Sequence, residues 1–251
     1  MQVEPRVVLI TGAAKGIGKA IAMELAKQGD SIVINYLSSR EEALELEKEI
    51  QSLYGTKTLV IQADVSKEDQ VDAMVSKIES SLGTVDILIN NAAIDLSNLF
   101  YLKTAEEFRK TLDVNVVGAF NCAKRVGEKM MEKHYGKIVN IASTNGLNTY
   151  FPMSVDYDAS KAALISLTHN LAWQYSPYVL VNAIAPGFIG TTSELEGYEE
   201  SFLKEECEKI LLQRYGLPEE VAHLVRFLVS EEASYIHNSV LRIDGGQKGS
   251  L

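Results

Sequence analysis

The sequence predicts an α/β fold built on a doubly wound parallel sheet, and three observations carry that expectation. Seven short β-branched runs are apolar throughout rather than alternating, as strands buried on both faces are. Longer helical stretches separate them in β-α-β-α order, which implies right-handed crossovers with helices on both sides of the sheet. A glycine-rich turn joins the first run to the first helix.

Taken in order, strands are expected at Val7–Thr11, Ser31–Tyr36, Thr58–Ala63, Val85–Asn90, Lys137–Ser143, Val179–Ala185 and Val240–Ile243. A helix over Gly16–Gln28 is closed by Gly29, and one over Arg40–Tyr54 by Gly55. Ser66 and Asp69 stand at capping-box spacing before a helix that runs to Leu82 and stops at Gly83. Thr104 and Glu107 repeat that spacing ahead of a helix running toward Lys133, and Pro218 suits a first helical turn before Val221–Val229. No linker or internal repeat divides the chain, so residues 1–251 are read as a single domain. The stretch from about 187 to 213 breaks the rhythm and reads as a small helical lid over the strand ends.

Composition excludes several classes. The 251 residues carry a net charge of −10, which disfavours a nucleic-acid partner held by phosphate contacts and an anionic membrane surface. No apolar run approaches the roughly 18 residues that span a bilayer. The run Val7-Val8-Leu9-Ile10 is too short for the core of a signal peptide. Cys122 and Cys207 form no disulfide framework, and His134, His169, His223 and His237 show no ligand spacing. A cytoplasmic protein with no metal is expected. A chain of this length buries roughly 70–75% of its unfolded surface, so it needs neither to fold.

The loop Thr11-Gly12-Ala13-Ala14-Lys15-Gly16-Ile17-Gly18 follows the first strand and opens the first helix. Glycines there let the backbone approach a pyrophosphate, and the helix N-terminus offers unpaired N–H groups. Further motifs follow in order: Asp64-Val65, Asn90-Asn91-Ala92-Ala93, Asn115, Ser143, Tyr157-x₃-Lys161, Pro186-Gly187 and Asp244-Gly245-Gly246. Together they resemble the short-chain dehydrogenase/reductase family of conventional type, from Val7 to Gly246, and are most similar to its 3-oxoacyl-[acyl-carrier-protein] reductases. The resemblance implies a Rossmann-like fold with strand order 3-2-1-4-5-6-7. It also implies a nicotinamide cofactor at the strand ends, touched by Gly12, Lys15, Gly16, Ile17, Gly18, Asp64, Val65, Asn91, Ala92, Pro186, Gly187 and Ile189. A homotetramer built through the helices bearing Asn115 and Tyr157, and through the last helix and strand, is implied as well.

Tyr157 and Lys161 stand four apart, on one helix face. An ammonium near a phenol favours the phenolate, which suits Tyr157 to act as general acid in carbonyl reduction or base in alcohol oxidation. Ser143 can hydrogen-bond the reacting oxygen. The resemblance adds that Lys161 holds the nicotinamide ribose and that Asn115 positions a water for proton supply. Cys122 is read as a small buried hydrophobe.

At the end of the second strand, where NAD enzymes place an acid, the chain has Tyr36, followed by Ser38, Ser39 and Arg40. With Lys15 in the glycine loop, these residues predict NADP(H) over NAD(H).

Some features depart from the family pattern. Ala93 replaces a glycine, which costs something of order 1 kcal/mol if that position needs φ > 0. Asn148, Tyr150, Phe151, Pro152 and Met153 are expected to line the substrate pocket, with Asp95, Phe188 and Tyr198. From Ser193 to Glu208 the lid holds seven acids (Glu194, Glu196, Glu199, Glu200, Glu205, Glu206, Glu208) against one base, Lys204. That field repels an acidic carrier protein, although Lys124, Arg125, Lys129 and Lys133 on another helix could compensate. The expected activity is therefore NADP(H)-dependent interconversion of a carbonyl and an alcohol on a 3-oxoacyl thioester. A free sugar, polyol or diketone stands beside it as substrate. A nicotinamide-binding sensor without turnover is opposed by the intact Asn115, Ser143, Tyr157 and Lys161, and an enoyl reductase by the Tyr-x₃-Lys spacing.

Overall fold

A computed structural model describes residues 5–148 and 150–248. Elements alternate as β1 (Val7–Ile10), α1 (Gly16–Lys27), β2 (Ser31–Tyr36), α2 (Arg40–Tyr54), β3 (Thr58–Gln62), α3 (Glu68–Ser81) and β4 (Ile87–Asn90). The second half adds α4 (Ala105–Leu112), α5 (Gly118–Lys133), β5 (Gly136–Ile141), α6 (Val155–Tyr175), β6 (Val179–Pro186), α7 (Thr192–Gly197), α8 (Glu200–Glu208), α9 (Pro218–Leu228) and β7 (Val240–Ile243). The strands form one parallel sheet in the order β3-β2-β1-β4-β5-β6-β7, as expected.

The unbroken apolar runs follow from this layering. In β1, Val8 and Ile10 pack with Ile21 and Leu25 of α1 and Val221 and Val225 of α9. Val7 and Leu9 face the other way, toward Met74 and Ile78 of α3 and Cys122 and Val126 of α5. Each such side chain is worth about 1.5–3 kcal/mol on full burial, so both faces of the strand must be apolar.

Two local expectations are corrected. First, α3 begins at Glu68 with no side-chain cap, two residues after Ser66. Ser66 instead gives both its N–H and its hydroxyl to Asp64 Oδ1, at 2.9 and 2.7 Å, because a turn onto the preceding carboxylate is nearer than a cap ahead. Second, the helix expected from Thr104 to Lys133 is divided. Thr104 and Glu107 do form their capping box, but Asp113–Val117 is a π-turn closed by Gly118 N–H on the Asp113 carbonyl. Gly118 is needed at that join, since a Cβ there would stand 2.5 Å from Val65 Cγ2. The far end agrees with expectation: α5 stops at Lys133, followed by His134 in the left-handed conformation, with φ of 56°, where no glycine marks the stop.

The expected lid is helical, as α7 and α8, and is tied down at both ends by bridges from Ile189 to Gly216 and from Ile210 to Gln247. Among the described residues no helix is long and apolar enough to cross a membrane, and none of the His, Cys, Asp and Glu side chains cluster as a metal site.

Candidate active site

A cavity of about 370 Å³ opens over the carboxyl ends of β1, β4, β5 and β6. Its floor holds Ile17, Gly18, Asn91, Ser143, Tyr157, Lys161, Pro186, Gly187 and Ile189, with Lys15 at one rim. The lid contributes Tyr198, Phe202 and Glu206. Of the expected pocket residues, Asp95, Tyr150, Phe151 and Phe188 line it, whereas Asn148, Pro152 and Met153 do not.

The glycine loop is shaped for close backbone approach. Gly12 has φ of +61°, and a Cβ on it would meet Ala92 Cα at 3.0 Å. A Cβ on Gly18 would stand 2.5 Å from the Gly12 carbonyl oxygen. α1 starts after an extended Lys15 with no side-chain cap, so its first N–H groups are left for another acceptor. This open helix end, beside a loop with no room for a side chain at Gly12 or Gly18, fits a dinucleotide pyrophosphate.

Three residues organise the loop. Thr11 Oγ1 accepts from the N–H groups of Asn91 and Ala92, both at 3.0 Å, and Asn91 Nδ2 donates to the carbonyls of Thr11 and Gly12. Asn91 thus holds the loop as well as lining the cavity. Asn35, which the sequence reading passed over, accepts from Gly12 N–H and donates to the Ile61 and Ala63 carbonyls. A buried polar residue inside the apolar run of β2 was its signal.

Other expected cofactor residues lie outside the cavity. Tyr36 is buried in the core, and Val65 packs beneath Gly118. Asp64, Ser38, Ser39, Arg40 and Ala92 flank the strand ends without lining the cavity, and the backbones of Gly12 and Gly16 form the loop behind it. Ala93 lines the cavity and is not among the residues of positive φ, so the alanine carries no left-handed strain. No acid stands at the end of β2, as the sequence indicated. Glu42, in the first turn of α2, nevertheless reaches Lys15 at 2.5 Å.

α6 brings Tyr157 and Lys161 together. Lys161 is buried, donates to the Ile141 carbonyl at 2.7 Å, and holds its ammonium 5.3 Å from the centre of the Tyr157 ring. Burial lowers its pKa from 10.5 to about 8. Ser143, two residues past β5, accepts from Asn145 N–H at 3.2 Å. Asn115 lies in the π-turn, outside the cavity wall. Its amide donates to the Ile94 carbonyl at 3.0 Å and to Ser160 Oγ at 2.9 Å, and its Oδ1 accepts from Ile94 N–H at 2.8 Å. The side chain therefore ties the loop after β4 to α6. Asp158 anchors the cavity's outer loop, accepting from Asn145 Nδ2 at 2.6 Å and Phe151 N–H at 3.1 Å, and burial raises its pKa. Cys122 is wholly buried, which pushes its thiol up to about 12.

A family profile described as enoyl-(acyl carrier protein) reductase matches residues 12–248. The chain belongs to the short-chain dehydrogenase/reductase family. It is accordingly an oxidoreductase. Curated members include the 3-oxoacyl-[acyl-carrier-protein] reductase of Staphylococcus epidermidis, 37% identical over 240 residues, or 95% of this chain and 97% of that one. The same-named reductase of Aquifex aeolicus is 38% identical over 98% of both chains. Among solved members, a gluconate 5-dehydrogenase from Burkholderia cenocepacia in complex with NADP and tartrate superposes with a TM-score of 0.90 at 30% identity, covering 97% of this chain and 95% of that one. A 3-oxoacyl-[acyl-carrier protein] reductase from Brucella melitensis gives 0.89 at 33% identity, covering 96% and 91%.

Proposed function

We propose that this chain is an NADP(H)-dependent reductase of 3-oxoacyl thioesters, with Tyr157 as proton donor and Ser143, Lys161 and Asn115 in support. The observation that carries the reading is the wholly buried Lys161 ammonium beside the Tyr157 ring. Gly12, Gly16, Ile17 and Gly18 would hold the dinucleotide, and the chemistry it would supply there is the gift or acceptance of a hydride. Tyr157 gives its phenolic proton to the carbonyl oxygen in reduction and takes it back in oxidation. The Lys161 charge favours the phenolate left behind, and a pKa of about 8 lets the lysine itself exchange a proton near neutrality. The Ser143 hydroxyl donates to the oxygen where charge gathers. Asn115 acts through its bonds to Ile94 and Ser160, which hold the wall of the cavity against α6.

Lys15 on the cavity rim, with Ser38, Ser39 and Arg40 on the turn before α2, supports NADP(H). The reading extends to a cytoplasmic homotetramer. Exposed Phe120 on α5 and Trp173 on α6, apolar side chains that a partner copy would cover, support the assembly; light scattering in solution tests it.

A free, uncharged carbonyl compound is favoured as the second reading by charge. Lys124, Arg125, Lys129 and Lys133, the cations that a carrier protein would need, are each engaged by an acid, Glu68, Glu79, Glu132 and Asp86 respectively. Glu196, Glu199, Glu200, Glu205 and Glu208 of the lid segment are exposed; the side chain of Glu194 lies outside the described residues. Around the cavity, Asp95 and Glu206 are the acids, and Lys15 and Lys161 are the described cations.

The test is NADPH oxidation with acetoacetyl-N-acetylcysteamine, a 3-oxoacyl-carrier protein, a neutral diketone and a 2-enoyl thioester, using Tyr157→Phe as the blank. Turnover of both 3-oxoacyl substrates supports the proposal. Turnover of the neutral diketone alone selects the second reading. Turnover of the enoyl thioester alone overturns carbonyl reduction, and cofactor binding without turnover leaves a sensor.

A further inference from the structure

We propose that Lys103 and Asp156 form a buried clamp that positions Tyr157, a role resting on the assignment of Tyr157 as proton donor. Asp156 directly precedes Tyr157 in the first turn of α6 and is fully buried. Its Oδ1 lies 2.9 Å from Lys103 Nζ, on the loop that leads from β4 into α4. Its Oδ2 accepts from Thr111 Oγ1 of α4 at 2.7 Å. Lys103 Nζ also donates to the Leu96 carbonyl in the same loop. The carboxylate is thus held from two different elements, by an ion pair on Oδ1, which makes no well-directed hydrogen bond, and by a hydrogen bond on Oδ2. Desolvation pushes the Asp156 carboxyl up, but the Thr111 hydroxyl and the Lys103 ammonium outweigh it and hold it ionised.

The position of this pair gives it a consequence for chemistry. The loop held by Lys103 carries Asp95, which lines the cavity, and the turn held by Asp156 carries Ser154 and Tyr157, which line it from the other side. Weaker ties run alongside: Asn98 N–H to the Met153 carbonyl at 2.9 Å, and Ser154 Oγ to Asp95 Oδ2 at 2.7 Å. Packing alone would be served by an apolar pair, because desolvation makes a buried ion pair a poor source of stability. What the charges add is direction. The first turn of α6 cannot rotate or slide without leaving a buried charge unpaired. That restriction bears on the phenol one residue along, whose oxygen must stay within hydrogen-bond reach of the reacting oxygen.

The test compares the parent with Lys103→Met/Asp156→Asn, a neutral pair that leaves no charge stranded. The readouts are thermal midpoint, NADPH affinity, and kcat and KM for NADPH-dependent reduction of acetoacetyl-N-acetylcysteamine or a neutral diketone, whichever the parent turns over. Positioning predicts a kcat lower by roughly 10-fold or more, with KM, cofactor affinity and melting close to the parent. A double variant that keeps the parent kcat overturns the clamp. Should it be recovered unfolded, Thr111→Val decides, since it removes one neutral hydroxyl from Asp156. A loss of about 3-fold in kcat at unchanged KM supports the clamp, and a parent kcat there overturns it. Tyr157→Phe separates the two layers of the argument. If it keeps activity, or if the parent turns over neither probe, the functional reading fails and the clamp with it. If it is inactive while the double variant is not, the clamp alone fails.

Discussion

Lys161 and Lys15 line one cavity and show what burial does to a single residue type. Lys161 is enclosed, fixed on the Ile141 carbonyl and lowered to about 8 in pKa. The Lys15 side chain is 62% exposed and rests on Glu42, an acid of the neighbouring helix, which it holds below the usual carboxylate range. Inside, charge is expensive and acts strongly on what it touches. At the rim, water and salt weaken each contact, and the groups are free to exchange partners. The floor of the site should therefore govern rate in large steps, and the rim should tune cofactor preference in small ones.

Five outcomes would sharpen or break that contrast. The largest belongs to Tyr157→Phe, which removes the proton and should lower kcat by roughly 10³-fold with cofactor binding intact, read by single-turnover kinetics and NADPH fluorescence. Ser143→Ala follows, with a loss on the order of 10²-fold in kcat and little change in NADPH affinity. Lys161→Met comes next: it should turn over more slowly than the parent, by a smaller factor than either, yet be more stable. The folded protein holds the lysine near 8 against 10.5 unfolded, so at pH 7 the charged form bears a desolvation cost on the order of 3 kcal/mol. Methionine removes that cost. The sign can be checked independently. Between pH 8 and 10.5 the unfolded chain binds more protons at this group, so its contribution to stability rises with pH in the parent and vanishes in the variant. Denaturant melts at pH 7 and pH 9.5 measure both effects, and a variant less stable at pH 7 would show that packing outweighs charge there. The smallest pair of effects sits at the rim. Glu42→Gln should raise NADPH affinity by about 3-fold and leave NADH unchanged, because Lys15 no longer has to leave an acid to meet a 2′-phosphate. Lys15→Ala should lower NADPH affinity by a similar factor. A rise on Lys15→Ala would break the NADP(H) assignment.

Much of this was legible in order along the chain. The strand runs were read to within two residues at each end, because residues buried on both faces leave a continuous apolar signal. Tyr157, Lys161 and Ser143 were expected together from spacing and from the resemblance to the family, and all three line the cavity. Asn35 was visible as a polar interruption of β2, but what it holds is 23 residues away in the glycine loop. Ser66 was misread because its hydroxyl can donate to Asp64 behind or accept from a helix N–H ahead, and only the local turn decides between them. Asn115 was placed as a residue on a continuous helix, and the π-turn that turns its amide toward Ile94 and Ser160 leaves no periodic trace.

By itself, then, the sequence pointed to the parallel sheet and the glycine loop through local periodicity and short spacing, and to the sheet order and the Tyr-Ser-Lys set through its resemblance to the family. Tertiary structure alone decided which charges meet. Lys103 and Asp156, 53 positions apart in sequence, are brought within 2.9 Å, and Glu42 is turned onto Lys15. Charge pairing depends on distance and dielectric in three dimensions, and neither is written in the order of residues.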